Sequence, residues 1–102
     1  MKRQDYSIKF KSNQGNLATA LSTFGSLFPG WGTIVAKHMA EGGVVDDVMT
    51  LSEDGLVLTV SRRMTDSCYN ECRPLFTNDS MYSIAQSAST IDSCSYPSFV
   101  DI

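Results

Sequence analysis

Residues 44–64 read VVDDVMTLSEDGLVLTVSRRM and carry the clearest structural signal in the chain. β-Branched and large apolar side chains, which favour strands, dominate residues 44–51 and 56–64. Between these runs, Ser52-Glu53-Asp54-Gly55 has the composition of a type I turn closed by a glycine in the left-handed conformation. The pattern predicts a β-hairpin whose second strand is central in a sheet and leaves the core near Arg62.

Strict alternation along residues 44–51 divides this strand into two faces. Val44, Asp46, Val48 and Thr50 would lie on one face, and Val45, Asp47, Met49 and Leu51 on the other. The adjacent acids would therefore point to opposite faces and could not enter one site together. We expect both to be solvated charges.

Upstream of the hairpin, the sequence predicts a strand followed by a helix. Tyr6, Ile8 and Phe10 alternate with polar residues and would share one face of the strand. After a polar loop at 12–16, Leu17, Ala20, Leu21, Phe24 and Phe28 recur at helical spacing. This helix should pack on the sheet and end at Pro29-Gly30.

Residues 31–41 fit two templates. Trp31, Ile34, Val35 and His38 would share one helical face, which favours a helix. The β-branched residues at 33–35 and the following Gly42-Gly43 favour a strand that enters a hairpin turn. Both assignments remain open at the level of sequence.

The C-terminal third begins with a helix signal. Thr65-Asp66-Ser67 offers an N-cap before apolar residues at helical spacing, and Pro74 should shorten or kink the helix. A further segment is expected from Asn78 to Ala88. Residues 98–102 should add an edge strand or reach over a neighbouring subunit.

The composition fits one domain that spans residues 1–102. The chain is 42% hydrophobic and 19% charged, and 102 residues leave no room for a second core. The order of elements predicts an α+β, ferredoxin-like sandwich with helices on one face of an antiparallel sheet. Many proteins of this architecture dimerise through the open face of the sheet, so a homodimer is expected.

Charge and cysteine content narrow the classes of partner and compartment. A net charge of −3 is contrary to the basic face of a nucleic-acid binder, so we expect no nucleic-acid partner. No apolar run reaches the length of a membrane span, so no membrane association is predicted. Three cysteines without a secretory segment indicate a reducing, cytoplasmic location.

The sequence contains no catalytic, metal-binding or nucleotide-binding motif. The candidate residues for binding a small molecule have aromatic side chains. His38 is the only histidine, and with Trp31, Tyr6 and Phe10 it would line a small-ligand pocket. The simpler interpretation is a histidine that only packs. No catalytic residue is predicted.

Cys68 and Cys72 would project from one helical face, and Cys94 and His38 would complete four ligands for zinc. The spacing lacks the close ligand pairs of structural zinc sites, so we predict buried or incidental thiols, no metal and no cofactor.

Arginines follow the central strand and could bind a carboxylate or phosphate. Arg62, Arg63 and Arg73 cluster in sequence near the next helix. The preferred interpretation is pairing with Asp66 or Glu71, or with the turn acids Glu53 and Asp54.

These observations predict a small, non-enzymatic binding or regulatory module that forms a homo-oligomer or caps a larger protein partner. The alternative is a small-molecule-binding protein or enzyme of the dimeric α+β barrel type, with a pocket near Trp31 and His38.

Overall fold

A computed structural model describes residues 1–27, 29–76, 87–95 and 98–102, and for Pro29, Trp31, Leu75 and Phe76 it describes the backbone alone. The elements are β1 (Lys2–Phe10), α1 (Leu17–Leu27), α2 (Pro29–Ala40), β2 (Val44–Leu51), β3 (Val57–Met64), α3 (Asp66–Cys72), a 3₁₀ turn (Arg73–Phe76), β4 (Ile91–Cys94) and β5 (Ser98–Asp101). None of the helices in these ranges combines the length and the apolar character needed to cross a membrane.

The strands form one five-stranded antiparallel sheet. Its order is β2-β3-β1-β4, and β5 lies beside β4 along the same edge of β1. β4 pairs with the end of β1 at Ile8 to Phe10, whereas β5 pairs with its beginning at Lys2 to Asp5. The predicted α+β class and antiparallel sheet are confirmed.

The predicted hairpin turn is confirmed in detail. The N–H of Gly55 donates to the carbonyl of Ser52 at 2.9 Å, and Gly55 has a φ of 70°. The N–H of Ser52 donates to the carbonyl of Val57 at 2.9 Å and closes the hairpin. Hydrogen bonds from the Ser52 hydroxyl and the Leu56 N–H lower the pKa of the Asp54 carboxyl.

This turn is bonded to the loop between β1 and α1. The side-chain amide of Asn13 donates to the carbonyl of Asp54 at 2.7 Å. The N–H of Gln14 donates to the carbonyl of Gly55 at 3.0 Å. Since α1 begins directly after this loop, the turn fixes where the first helix starts relative to the sheet.

Helices cover one face of the sheet. On β1 and β3 the alternate residues Gln4, Tyr6, Ile8, Phe10, Leu58, Val60, Arg62 and Met64 are buried. The ring of Tyr6 lies 5.7 Å from the ring of Phe24 in α1, so this is the helix-facing side. The opposite side, called the open face below, carries Arg3, Asp5, Ser7 and Lys9 of β1, Val57, Thr59, Ser61 and Arg63 of β3, and Val45, Val48 and Thr50 of β2.

Two boundaries differ from the sequence prediction and two agree with it. β1 begins at Lys2 rather than Tyr6, because pairing with β3 and β5 extends the strand through polar residues. Residues 31–40 are helical, and their helix begins at Pro29, since proline is tolerated in a first helical turn. α1 ends at Leu27, ahead of Pro29, and α3 ends at Cys72, ahead of Pro74, as expected.

The remaining predictions fall at the C-terminus. Residues 98–101 form the predicted edge strand, against β1. The segment expected from Asn78 to Ala88 lies mostly outside the described residues.

Replacing Gly55 by alanine should destabilise the fold. A side chain at positive φ costs about 1–2 kcal/mol, and the added Cβ would collide with the Asn13 side chain that anchors the turn. The free energy of unfolding, measured by urea denaturation, should fall by at least that amount. Gly25→Ala in α1 is the matched control, since its Cβ meets nothing within 4 Å and alanine favours helix by up to about 1 kcal/mol. Equal stability of the two variants would contradict this role of Gly55.

Candidate functional site

An arginine lies inside the core. Arg62 on β3 is 1% exposed and points to the helix-facing side. Its Nη2 lies 3.1 Å from Oδ1 of Asp47. Burial lowers the pKa of the Arg62 guanidinium, and the Asp47 carboxylate opposes that shift. The prediction that the strand leaves the core at Arg62 is therefore wrong.

A β-bulge in β2 brings Asp47 to this arginine. Val45 pairs with Arg63 and Val48 pairs with Ser61, so Asp46 and Asp47 together oppose Arg62 alone. Asp46 has a φ of 52°, in the left-handed region. Its side chain turns to the open face and binds Arg63. The two acids point apart, as expected, but Asp47 is not a solvated charge.

The bulge also changes the faces of β2. Val44 pairs with buried Met64, and after the bulge Met49 and Leu51 pair with buried Val60 and Leu58. The helix-facing side thus carries Val44, Met49 and Leu51. Strict alternation had predicted Val44 on one face of the strand and the other two residues on the opposite face. The expected partners of Arg62 and Arg63 were likewise wrong, since these two arginines bind the bulge acids.

Two thiols lie beside the buried arginine. Cys68 and Cys72 are fully buried on α3, and their Sγ atoms are 3.9 Å apart. Thr65 caps this helix, and its Oγ1 accepts from the N–H of Cys68 at 3.3 Å. Burial raises the pKa of both thiols, that of Cys72 to about 12, although the charge of Arg62 acts in the opposite direction. Both are protonated at neutral pH and are poor nucleophiles.

A buried glutamine completes the polar group. Gln4 on β1 pairs directly with Arg62 across the sheet and is 1% exposed. Within the described part of the chain, neither atom of its amide has a hydrogen-bond partner. We call Gln4, Asp47, Arg62, Cys68 and Cys72 the polar cluster. The burial of Gln4, Asp47 and Arg62 was missed by sequence reasoning, because each reads as a surface residue.

His38 connects α2 with α3. Its side chain is buried, with Nε2 lying 3.3 Å from Oε1 of Glu71 and Nδ1 3.9 Å from Oε2 of Glu41. Lys37 reaches the same oxygen of Glu71 at 3.4 Å. Desolvation opposes ionisation of Glu71, but Lys37 and His38 together lower its pKa. The histidine therefore lies in a polar contact between α2 and α3.

A glycine leaves room for this histidine. A Cβ on Gly43 would lie 3.3 Å from Cβ and Nδ1 of His38 and 3.2 Å from Oγ1 of Thr65. The N–H of Gly43 donates to the carbonyl of His38 at 2.7 Å. The turn that follows α2 therefore packs directly against Thr65, the N-cap residue of α3.

The predicted ligand residues lie in different surroundings. Tyr6 and Phe10 share the buried, helix-facing side of β1. Burial raises the pKa of Tyr6, as does its contact with Cys94, so its hydroxyl stays protonated. His38 lies at the junction of α2 and α3, and the side chain of Trp31 is outside the described residues. A pocket formed by these four residues stays a prediction.

The four-ligand zinc set is not assembled. Cys68 and Cys72 are together, but Cys94 lies on β4 beside Ile8 and Tyr6. Across the described ranges, no group of three or more His, Cys, Asp or Glu side chains could hold a metal ion.

A shallow concavity of about 320 Å³ opens where β4 and β5 diverge along β1. Its described lining residues are Asp5, Tyr6, Ser7, Thr59, Ser95 and Ser98. Ser95 holds its rim, because its Oγ accepts from the N–H of Ser7 at 2.9 Å.

Comparison of the chain with protein-family models, with curated proteins and with solved structures gives no match. Function has to be inferred from the geometry of the chain itself.

Removing the charge of Asp47 should destabilise the protein far more than removing that of Asp46. Asp47→Asn leaves a buried guanidinium without this carboxylate, which costs about 3 kcal/mol or more. Asp46→Asn breaks an exposed pair and should cost less than about 1 kcal/mol. Urea denaturation measures both.

A double substitution provides a control for the effect of Asp47→Asn. Replacing Arg62 by methionine in the Asp47→Asn background removes the stranded charge, so stability should partly return. If the two single variants lose equal stability, the Arg62–Asp47 pair does not neutralise the core charge.

Alkaline pH should destabilise the protein through Cys72. Its pKa rises from the usual 9.0 to about 12 on folding. Below pH 9 the thiol is protonated in both states, whereas above it only the unfolded state loses the proton. Stability should therefore fall by up to about 1.4 kcal/mol per pH unit between pH 9 and 12 from this group. In Cys72→Ala, the free energy of unfolding measured by denaturation should fall less steeply with pH over the same range. An identical slope in the two proteins would contradict the raised pKa of Cys72.

Proposed function

We propose that this chain is a small self-associating binding or regulatory module, in which two copies associate through the open face of the sheet. The main observation that supports the proposal is the difference between the two faces of the sheet. Its helix-facing side buries the core, whereas its other side, across the described strands, exposes valines among charges that neutralise one another.

The exposed valines of the open face lie at the two opposite edges of the sheet. Val48 is 52% exposed and Val45 36% exposed on β2, and Val100 is 44% exposed on β5. Val100 pairs with Arg3, so it shares the open face of β1. Burying such side chains against a partner stabilises a complex by about 25 cal/mol per Å² of apolar area.

The charges of the open face favour a second copy as the occupant. Its three cations each have a carboxylate partner: Arg3 with Asp5, Lys9 with Asp92, and Arg63 with Asp46. The face is therefore neutral, although the chain carries a net charge of −3. Two identical neutral faces meet without like-charge repulsion, whereas a strongly charged partner would gain nothing here.

The size of the face supports a reversible dimer. The sheet is four rows wide, because β4 and β5, of four residues each, together form the row beside β1. Rows spaced about 4.8 Å apart, with about eight residues at about 3.3 Å in each, present on the order of 500 Å². Stable complexes bury about 800 Å² per partner. We therefore expect a dissociation constant in the micromolar range, which suits a module that associates and separates in use.

The finer fold assignment is part of this proposal. The order β2-β3-β1-β4, with helices after β1 and after β3, supports a ferredoxin-like sandwich. Association through the open face is frequent in that architecture, and this support is by analogy. We also propose a cytoplasmic location, with which three free thiols are consistent.

A second candidate is a small-molecule binder of the dimeric α+β barrel type. The concavity near Asp5, Ser7 and Thr59 opens on the same face. A second copy would cover it and enclose a small, hydroxyl-lined volume. The predicted site near Trp31 and His38 belongs to the helix layer instead, so ligand binding that survives Thr59→Val but fails in His38→Ala would select that site.

Val48→Asp should abolish self-association. It introduces a charge at the most exposed valine of the open face, so association would have to bury an unpaired carboxylate. Sedimentation velocity over a concentration series that brackets about 10 μM should show concentration-dependent dimers for the unmodified chain and monomers for the variant.

Met39→Asp is the matched control, because Met39 is 48% exposed on α2 in the helix layer. It should leave the dimer unchanged. A chain that is monomeric at every concentration, or equal effects of the two substitutions, would refute association through the open face.

A further inference from the structure

We propose that Cys68 and Cys72 form a two-coordinate binding site for Cu(I) inside the polar cluster. The site is independent of the proposed self-association, since it lies on the helix-facing side of the sheet.

The spacing of the two sulfurs fits a linear site. They sit four residues apart on one face of α3, with their Sγ atoms 3.9 Å apart. Metal–thiolate bonds of about 2.2 Å arranged in a line would put the sulfurs about 4.4 Å apart. The thiols thus need to separate by roughly 0.5 Å, which small side-chain rotations supply without moving the helix backbone.

The number and type of ligands select the metal. Zinc in proteins takes four ligands, and the described residues offer no group of three or more at this place. Soft thiolates favour Cu(I) among the first-row metals, and a d¹⁰ cation accepts two of them. Both thiols are fully buried, so water does not compete for the metal.

The bound site lies beside a cation. On binding, two S–H bonds break, two Cu–S bonds form, and both protons pass to solvent. The resulting bis-thiolate complex of Cu(I) has a charge of −1. The charge of Arg62 favours the thiolate forms of both sulfurs. Because Asp47 pairs with the same arginine, the loaded cluster has a net charge of −1, and Asp47, with 17% of its side chain exposed, is in contact with water. A bare pair of buried thiolates would lack such compensation.

The test is an anaerobic titration of the reduced full chain with Cu(I) delivered by a chromogenic chelator. One Cu(I) should bind per chain, and Cys68→Ala or Cys72→Ala should weaken binding by about 100-fold or more. Cys94→Ala is the matched control, because Cys94 lies on β4, and it should bind as the unmodified chain does. Since two protons leave, the apparent affinity should rise about 100-fold per pH unit around neutrality.

X-ray absorption of the loaded, unmodified chain provides a measurement that needs no variant to fold. It should report two sulfur neighbours and no nitrogen or oxygen neighbour. Failure to take Cu(I) from the chelator, a dependence on one proton, three sulfur neighbours, or loss of binding in Cys94→Ala would each overturn the proposal.

Discussion

A guanidinium in the interior of a small domain requires a carboxylate beside it, and β2 supplies one. Arg62 is held in the core by its place on the central strand β3, between Gln4 and the thiols of α3. A regular β2 would oppose it with one residue, but the bulge supplies two, one for each face. A buried charge without compensation would cost several kcal/mol, which is a large fraction of the stability of a domain this size. Asp47 meets Arg62 on the helix-facing side and Asp46 meets Arg63 on the open face, so one bulge supplies a carboxylate to both arginines.

The bulge then sets which side of β2 faces the helices. Because side chains alternate with a period of two, one extra residue exchanges the faces of everything that follows it. Met49 and Leu51 join Val44 on the helix-facing side, and Val48 turns outward. The valine-bearing open face on which self-association is proposed is thus a consequence of the bulge. Arg62 and Arg63, with Asp47 and Asp46, form corresponding contacts on the two sides of one sheet.

The features that could be predicted from sequence depend on local chemistry. The turn at Gly55, the cap at Thr65 and the end of α3 ahead of Pro74 each need only a few neighbouring residues. The burial of His38 also followed, once its segment was read as helix. The helical state of residues 31–40 could not be decided locally, because packing of α2 on α3 overrides the strand preference of Ile34 and Val35. Gln4, Asp47 and Arg62 were missed for the opposite reason: polar residues take core positions only when a distant partner is present, and a single sequence does not reveal that partner.

The bulge carries a local strain that other contacts offset. Asp46 lies at positive φ, a conformation that costs a non-glycine residue about 1–2 kcal/mol and that aspartate tolerates better than most. Its own partner, Arg63, is 46% exposed, and an exposed pair contributes less than about 1 kcal/mol. That contribution alone does not offset the backbone strain. Without the extra residue, alternation from Val44 would put Asp46 opposite Arg62 and would turn Met49 and Leu51 to the open face. Burial of a large apolar side chain contributes up to about 3 kcal/mol, so the packing of Met49 and Leu51 against the core offsets the strain at Asp46 and keeps Val48 on the open face.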